Sequence, residues 1–206
     1  MMTVGITGRS GCGKSTVTAC FLALGVPAAD ADQISREILQ PGSPVLVQLA
    51  DRFGSDILRD GVLDRRLLAD RAFQTPEGKA ALDAITHPAI IRRIHEAQAQ
   101  ARAAGSPLFL IDGAVLVGSA LDGQWDKLVV VAAPYETSVE RIVQRDGISP
   151  EMARRRLDAQ LPESQLAARA DILLHNDGTK EQLYRKAQAL AARLLAEAKG
   201  GAGQTV

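Results

Sequence analysis

The strongest constraint on the fold is the run Gly8-Arg9-Ser10-Gly11-Cys12-Gly13-Lys14-Ser15, which follows the β-branched stretch TVGIT at residues 3–7. It fills the spacing G-x-x-x-x-G-K-[ST] and is followed by a helical pattern, the strand–turn–helix context that such a loop needs. Glycines let the backbone turn so that its N–H groups point inward at a phosphate, and the unsatisfied N–H groups of the next helix add the positive end of a dipole. Lys14 is placed to reach β- and γ-phosphates, and the Ser15 hydroxyl to ligand Mg²⁺. The expected phosphate site comprises Gly8, Gly11, Cys12, Gly13, Lys14, Ser15 and Thr16. Cys12 has two readings: a thiol made reactive by a helix N-terminus, or a small residue that the loop accepts.

The rest of the chain alternates short apolar runs with helical patterns. Residues 107–112 (PLFLID), 127–133 (KLVVVAA) and 170–175 (ADILLH) read as further strands, and Val26 to Ala29 as a weaker fifth. Near-continuous apolar runs separated by helices predict a parallel five-stranded sheet covered on both faces, with the loops after residues 7, 29 and 112 converging at its carboxyl edge. Two stretches break the alternation. Residues 42–104 are mostly helical, interrupted by DGVLDR at 60–65 and by His87-Pro88, and read as a substrate-binding insertion. Residues 135–169 are helical and rich in arginine, and read as a lid. The last helix, about 179–198, carries Leu183, Ala187, Leu190, Leu194 and Leu195 on a face that can pack on the sheet. The tail GGAGQTV is expected to fray.

At 206 residues the chain is long enough for one α/β domain with appendages, numbered here 1–206. Its formal net charge is zero and no long like-charge run occurs, which argues against nucleic acid or an anionic membrane as partner and for a small molecule. Two cysteines without metal-type spacing suit a reduced compartment, and no leader or spanning segment is evident, so the cytoplasm is the expected location; the sequence leaves the oligomeric state open, with a monomer slightly favoured. A guanine-reading N-K-x-D is absent, as is a transporter-type signature, which leaves small-molecule phosphotransfer.

Four further stretches carry a resemblance. They are Asp30-Ala31-Asp32 with Pro41-Gly42; FGSDILRDGVLDRRLLADRAF at 53–73; Ile85-Thr86-His87-Pro88; and Arg141, Arg145, Gln160 and Ala170-Asp171 leading to Asn176. With the loop, they resemble the dephospho-coenzyme A kinases, a P-loop kinase family, over nearly the whole chain. The resemblance implies a P-loop kinase-type α/β fold and ATP with Mg²⁺ as donor. It also implies transfer to the 3′-hydroxyl of dephospho-coenzyme A, the last step of coenzyme A synthesis. The segment after Asp112 departs from the family pattern: Ala114 and Gly118 stand where a proline and a glutamate are usual.

Asp32 follows a strand edge, and in the family this position is the proposed general base; the competing reading makes it a helix cap, with Asp30 the better cap. Arg141 and Arg145 are four apart, on one helix face, and a guanidinium suits the charge of a transferring phosphoryl group; Arg145 is the first choice for catalysis. Arg154 with Asp158 and Arg155 with Glu151 read as surface pairs. Asp112 ends a strand and can hold a Mg²⁺-bound water or serve as a buried strand-end carboxylate. Asn176 is placed at the nucleotide by resemblance. Asp64 and Arg65 face substrate by resemblance, or cap and open a helix. His87 touches the coenzyme or ends a helix before Pro88. Two other functions stay open: a kinase for a nucleoside monophosphate or shikimate, and a weakly active ATP- or coenzyme-binding regulator.

Overall fold

The apolar runs do pair as strands. In the computed structural model, which describes residues 1–201, β1 (Met2–Thr7) leads through the glycine loop into α1 (Lys14–Ala23), then β2 (Ala28–Asp30) and α2 (Ala31–Glu37). Next come α3 (Pro44–Phe53), a 3-10 turn at Ser55–Ile57, β3 (Leu58–Arg59), β4 (Val62–Leu63), α4 (Arg65–Ala72) and α5 (Pro76–Ala103). The chain continues with β5 (Leu108–Asp112), β6 (Lys127–Ala132), α6 (Tyr135–Asp146), α7 (Pro150–Asp158), α8 (Glu163–Ala167), β7 (Ile172–His175) and α9 (Lys180–Gly201). Residues 202–206, most of the tail expected to fray, lie outside the described residues.

Among the described residues the main sheet has five strands in the order β2-β5-β1-β6-β7. β1 runs parallel to β5, with Val4 opposite Leu110, and to β6, with Ile6 opposite Val129; β6 runs parallel to β7. Burial on both faces explains the unbroken apolar runs: all of β5 is buried, as is every residue of β6 after Lys127. On one face α1 and α9 pack against each other and the sheet, burying Phe21, Leu183, Ala187, Leu190 and Leu194 beside Val4, Ile6 and Val129. Each leucine removed from water there contributes about 1.5–3 kcal/mol. The helical spacing that predicted this face is the spacing observed. β1, β5 and β6 end on the same side, so the loops that follow them share one edge.

The chain divides into two units, one made of residues 1–29 with those from 98 onward, the other Asp30–Ala97. In the second, α3, the 3-10 turn and α4 pack together. The stretch 60–65, read from sequence only as a break, belongs to an antiparallel hairpin: Leu58 faces Leu63, and the connection is Asp60-Gly61. Both turn residues have positive φ, 51° and 77°, the demand of a type I′ turn that Asp-Gly meets at low cost. The expected break at His87-Pro88 is not there. α5 runs unbroken through Pro88, although proline lacks the N–H for the Ala84 carbonyl and costs about 3 kcal/mol inside a helix. Burial of Ala89 and Ile94 on the same helix offsets that cost. Among the described residues no helix is long and apolar enough to cross a membrane.

Candidate active site

The glycine loop joins the end of β1 to the start of α1 at the carboxyl edge of the sheet. Gly13 caps α1 with φ +94° and no side-chain cap bond, and the first turn has no acidic residue, an opening suited to an anion. A Cβ on Gly13 would lie 2.5 Å from Asn176 Nδ2, and one on Gly11 2.6 Å from the Ser138 carbonyl oxygen, so both positions need glycine for space as well as for backbone angle. Ser15 is exposed at the first turn, and the Thr16 N–H donates to the Gly13 carbonyl at 3.0 Å.

Three side chains from two elements, α1 and β5, meet behind the loop. Lys14 forms an ion pair with Asp112 at the end of β5, and Thr18, one helical turn after Lys14, donates to the other Asp112 oxygen at 2.9 Å. From beyond β7, Asn176 Nδ2 donates to the Cys12 carbonyl at 2.8 Å, while Asn176 Oδ1 is buried without a partner among the described residues. Thr18 carried no sequence motif; its spacing of four from Lys14 was the available signal.

Cys12 is 2 % exposed. Burial pushes its thiol up to about 11, outweighing the lowering effects of the Lys14 backbone N–H and charge. The reactive-thiol reading is therefore corrected: Cys12 is a small buried residue of the loop. Cys20, also buried, has a raised thiol as well. A raised pKa keeps a thiol protonated below it, so iodoacetamide at pH 8 is expected to leave the native protein unlabelled while labelling both cysteines in guanidinium. Rapid single labelling of the native protein, located by peptide mass, would contradict the buried Cys12.

The arginine-rich stretch reaches the loop at three consecutive residues. Arg9 donates to the Leu157 carbonyl at 2.5 Å; the Ser10 N–H donates to Gln160 Oε1 at 2.9 Å, and Gln160 Nε2 donates back to Ser10 Oγ at 3.1 Å; Arg141 donates to the Gly11 carbonyl at 3.2 Å. Gln160 is thus matched to Ser10 as both donor and acceptor, a role that no reading of its residue type foresaw. Replacing it with alanine leaves the Ser10 pair open, and the expected result is a KM for ATP raised about fivefold to tenfold, for a lost net bond of about 1–1.5 kcal/mol. An unchanged KM would show that the bond does not hold the loop. Arg145 does not join Arg141 at the loop: it makes a two-pronged bond to Asp146, at 2.6 and 2.9 Å, and Asp146 also accepts from Arg156 at 2.6 Å. The Arg145 bond, with help from Arg156, holds the Asp146 carboxyl below its ordinary value. Arg155 pairs with Glu151 as expected, but Arg154 pairs with Glu136 at 2.8 Å rather than with Asp158, which instead accepts from the Tyr135 hydroxyl. The correction is tertiary: α6 packs against α7 and offers a nearer carboxylate.

Within the unit Asp30–Ala97, Asp30 is the cap of α2, its carboxylate accepting from the Gln33 N–H at 2.8 Å. Asp32 stands in the first turn of that helix, half-buried, so capping is not its task. Asp64 caps α4 through the Leu67 N–H at 3.0 Å, and lies 3.4 Å from Arg59. Arg65 is the exposed first residue of α4. His87 lies 3.4 Å from Asp83, one turn back on α5. Arg71, unmarked in the sequence, grips Asp56 with two bonds, at 2.7 and 2.6 Å.

A hard divalent cation fits Ser15. Mg²⁺ takes few protein ligands and completes its shell with phosphate oxygens and water, so an exposed hydroxyl beside a phosphate loop suffices. Among the described residues no cluster of three or more His, Cys, Asp or Glu offers a cage instead.

A parallel sheet ordered with β1 at its centre, the glycine loop at its edge and Lys14 opening α1 define a P-loop kinase. The family model described as dephospho-CoA kinase matches residues 2–182, and the chain belongs to that family. It is 42 % identical to the dephospho-CoA kinase of Anaeromyxobacter dehalogenans (strain 2CP-C), over 99 % of this chain and 95 % of the relative. It is 42 % identical to that of Corynebacterium glutamicum, over 95 % and 98 %. Among solved structures, TT1252 from Thermus thermophilus aligns with a TM-score of 0.78 at 33 % identity, covering 94 % of this chain and 97 % of the other. The dephospho-CoA kinase from Campylobacter jejuni aligns with a TM-score of 0.70 at 26 % identity, covering 97 % and 98 %. A shikimate kinase from Bacteroides thetaiotaomicron shares the fold, with a TM-score of 0.52 at 15 % identity over 94 % of this chain and 98 % of the other.

Proposed function

We propose that this protein transfers the γ-phosphoryl group of ATP to the 3′-hydroxyl of dephospho-coenzyme A, completing coenzyme A. The observation that carries the reading is the family match over residues 2–182, joined to a phosphate loop with its lysine in place. In this reading Lys14 exchanges Asp112 for the β- and γ-phosphates, and the loop N–H groups with Thr16 grip the same oxygens. Ser15 would hold Mg²⁺, with Asp112 reached through water, and the ion would supply charge neutralisation at the phosphates. Asp32 orients the acceptor hydroxyl and takes its proton; a loose transition state asks for little early proton removal, so orientation matters more than basicity. Arg141 lies against the loop, and Arg145 serves the transferring group once it leaves Asp146. Asn176 uses its unpartnered Oδ1 toward the nucleotide, while Asp64, Arg65 and His87 belong to the acceptor side. Residues 42–104 act as the acceptor-binding insertion and 135–169 as the lid, whose closure keeps water from the phosphoryl group. The enzyme works as a monomer in the cytoplasm.

The test is incubation with ATP, Mg²⁺ and dephospho-coenzyme A, with shikimate, AMP, CMP and UMP in parallel, following ADP and identifying products by mass. Coenzyme A formed far faster than any other product supports the reading. Turnover only with another acceptor keeps the fold and replaces the substrate. Binding of ATP and dephospho-coenzyme A without turnover marks a regulator.

A further inference from the structure

Asp112 is buried, and both of its carboxylate oxygens are engaged, one by Lys14 and the other by the Thr18 hydroxyl at 2.9 Å. In the proposed reaction Lys14 leaves this carboxylate for the phosphates, and the Thr18 bond is the one that stays. Thr18 is itself among the buried residues of α1, one turn after Lys14. Its hydroxyl also lies 3.2 Å from the Lys14 carbonyl oxygen, the back-bond that threonine makes to the preceding turn of a helix. A hydroxyl has one proton and cannot donate to both. The carboxylate is nearer and charged, and a bond to a charged acceptor is the stronger, so the proton goes to Asp112.

We propose that Thr18 is a positioning residue for the metal side of this reaction: it pins Asp112 Oδ2, so that Oδ1 stays aimed where the Lys14 ammonium sat. The inference rests on Lys14 leaving Asp112 and on Ser15 and Asp112 serving Mg²⁺, and not on the identity of the acceptor. An aspartate turns about two side-chain torsions, and loss of its ion pair frees both. A carboxylate so freed at the end of β5 can follow the lysine or turn away from the loop. Held by Thr18 it keeps one orientation, and a contact to a cation through water depends on orientation as much as on charge. Lys14 opens α1 and Thr18 stands four residues on, so the helix that places the phosphate clamp also sets the carboxylate. Valine at position 18 would keep the branched shape and lose the proton donor.

The test is calorimetric titration of ADP, with and without Mg²⁺, into wild type, Thr18→Val and Thr18→Ser, each first checked by thermal melting. Thr18→Ala removes the same hydroxyl without setting a methyl against the carboxylate, and takes over if Thr18→Val does not fold. Without Mg²⁺ all are expected to bind ADP alike. With Mg²⁺, Thr18→Val is expected to bind ADP about threefold to tenfold more weakly, the size of one net hydrogen bond, and Thr18→Ser to match wild type. In an Asp112→Asn background the Thr18 change should add nothing, since the two act as one unit. Equal weakening with and without Mg²⁺ would make Thr18 a packing residue of α1, and unchanged binding in Mg²⁺ would leave Asp112 held without it. Either result overturns the proposal, as does a Thr18→Ser that behaves like Thr18→Val, or a loss that persists in Asp112→Asn. ADP binding is read without acceptor or turnover, so a wild type that binds it with Mg²⁺ but forms no coenzyme A sinks the activity and not the inference. A wild type whose ADP affinity ignores Mg²⁺ sinks the inference and leaves the activity standing.

Discussion

Lys14→Met is expected to lower kcat by about 10²- to 10³-fold, the usual cost of removing one group aimed at developing charge in a closed site. The same change should also lower stability, because Asp112 is 7 % exposed and Lys14 is its counter-ion. Thr18 donates one neutral hydrogen bond to Asp112 and does not replace a charge. The two losses separate in the double variant Lys14→Met with Asp112→Asn, which removes the orphaned charge. Melting temperature should recover most of the way, while kcat should not. Recovery of kcat would mean that Lys14 only neutralises Asp112. Lys14→Arg should fail as well, since a planar fork cannot follow a point charge into a loop shaped around an ammonium.

Asp32→Asn is expected to lower kcat by about 10²- to 10⁴-fold, the range for losing a positioned general base, with ATP affinity unchanged. Stability is the control that decides between the two sequence readings of this residue. Asp30 already supplies the cap of α2, so Asp32→Asn leaves that cap in place; its charge in the helix's first turn accounts for about 0.3–1 kcal/mol of any loss. Asp30→Ala, by contrast, should cost about 0.5–2 kcal/mol. If Asp32→Asn kept full kcat and destabilised the protein as much as Asp30→Ala, Asp32 would be a structural residue.

Much of the fold was open to reading because its signals are local. The strand at 3–7, the glycine loop and the helix after it are contiguous, and the apolar runs at β5 and β6 are long enough to mark burial on both faces. α9 was legible from spacing alone, since Leu183, Ala187, Leu190 and Leu194 repeat at three or four residues and all end in the core. The β3–β4 hairpin was not read from the sequence, which marked only a break at 60–65: Asp60-Gly61 carries the turn signal, but strands two residues long carry no alternation to go with it. Pro88 misled for a related reason: its local cost is real, and α5 overrides it with burial that local sequence does not display.

The candidate site divides along the same line. By itself the sequence determined the phosphate loop, its lysine and serine, the family resemblance and the order of strands and helices, because each depends on neighbours a few residues apart. Only the tertiary structure decided that Lys14 pairs with Asp112, 98 residues on, that Gln160 answers Ser10 across 150, and that Arg145 turns to Asp146 while Arg141 meets the loop. It also decided that Cys12 is buried and protonated, and that Thr18 reaches Asp112 across 94 residues. Such pairings are set by which carboxylate, carbonyl or amide the packed sheet and helices bring within bonding distance, and no spacing along the chain encodes that distance.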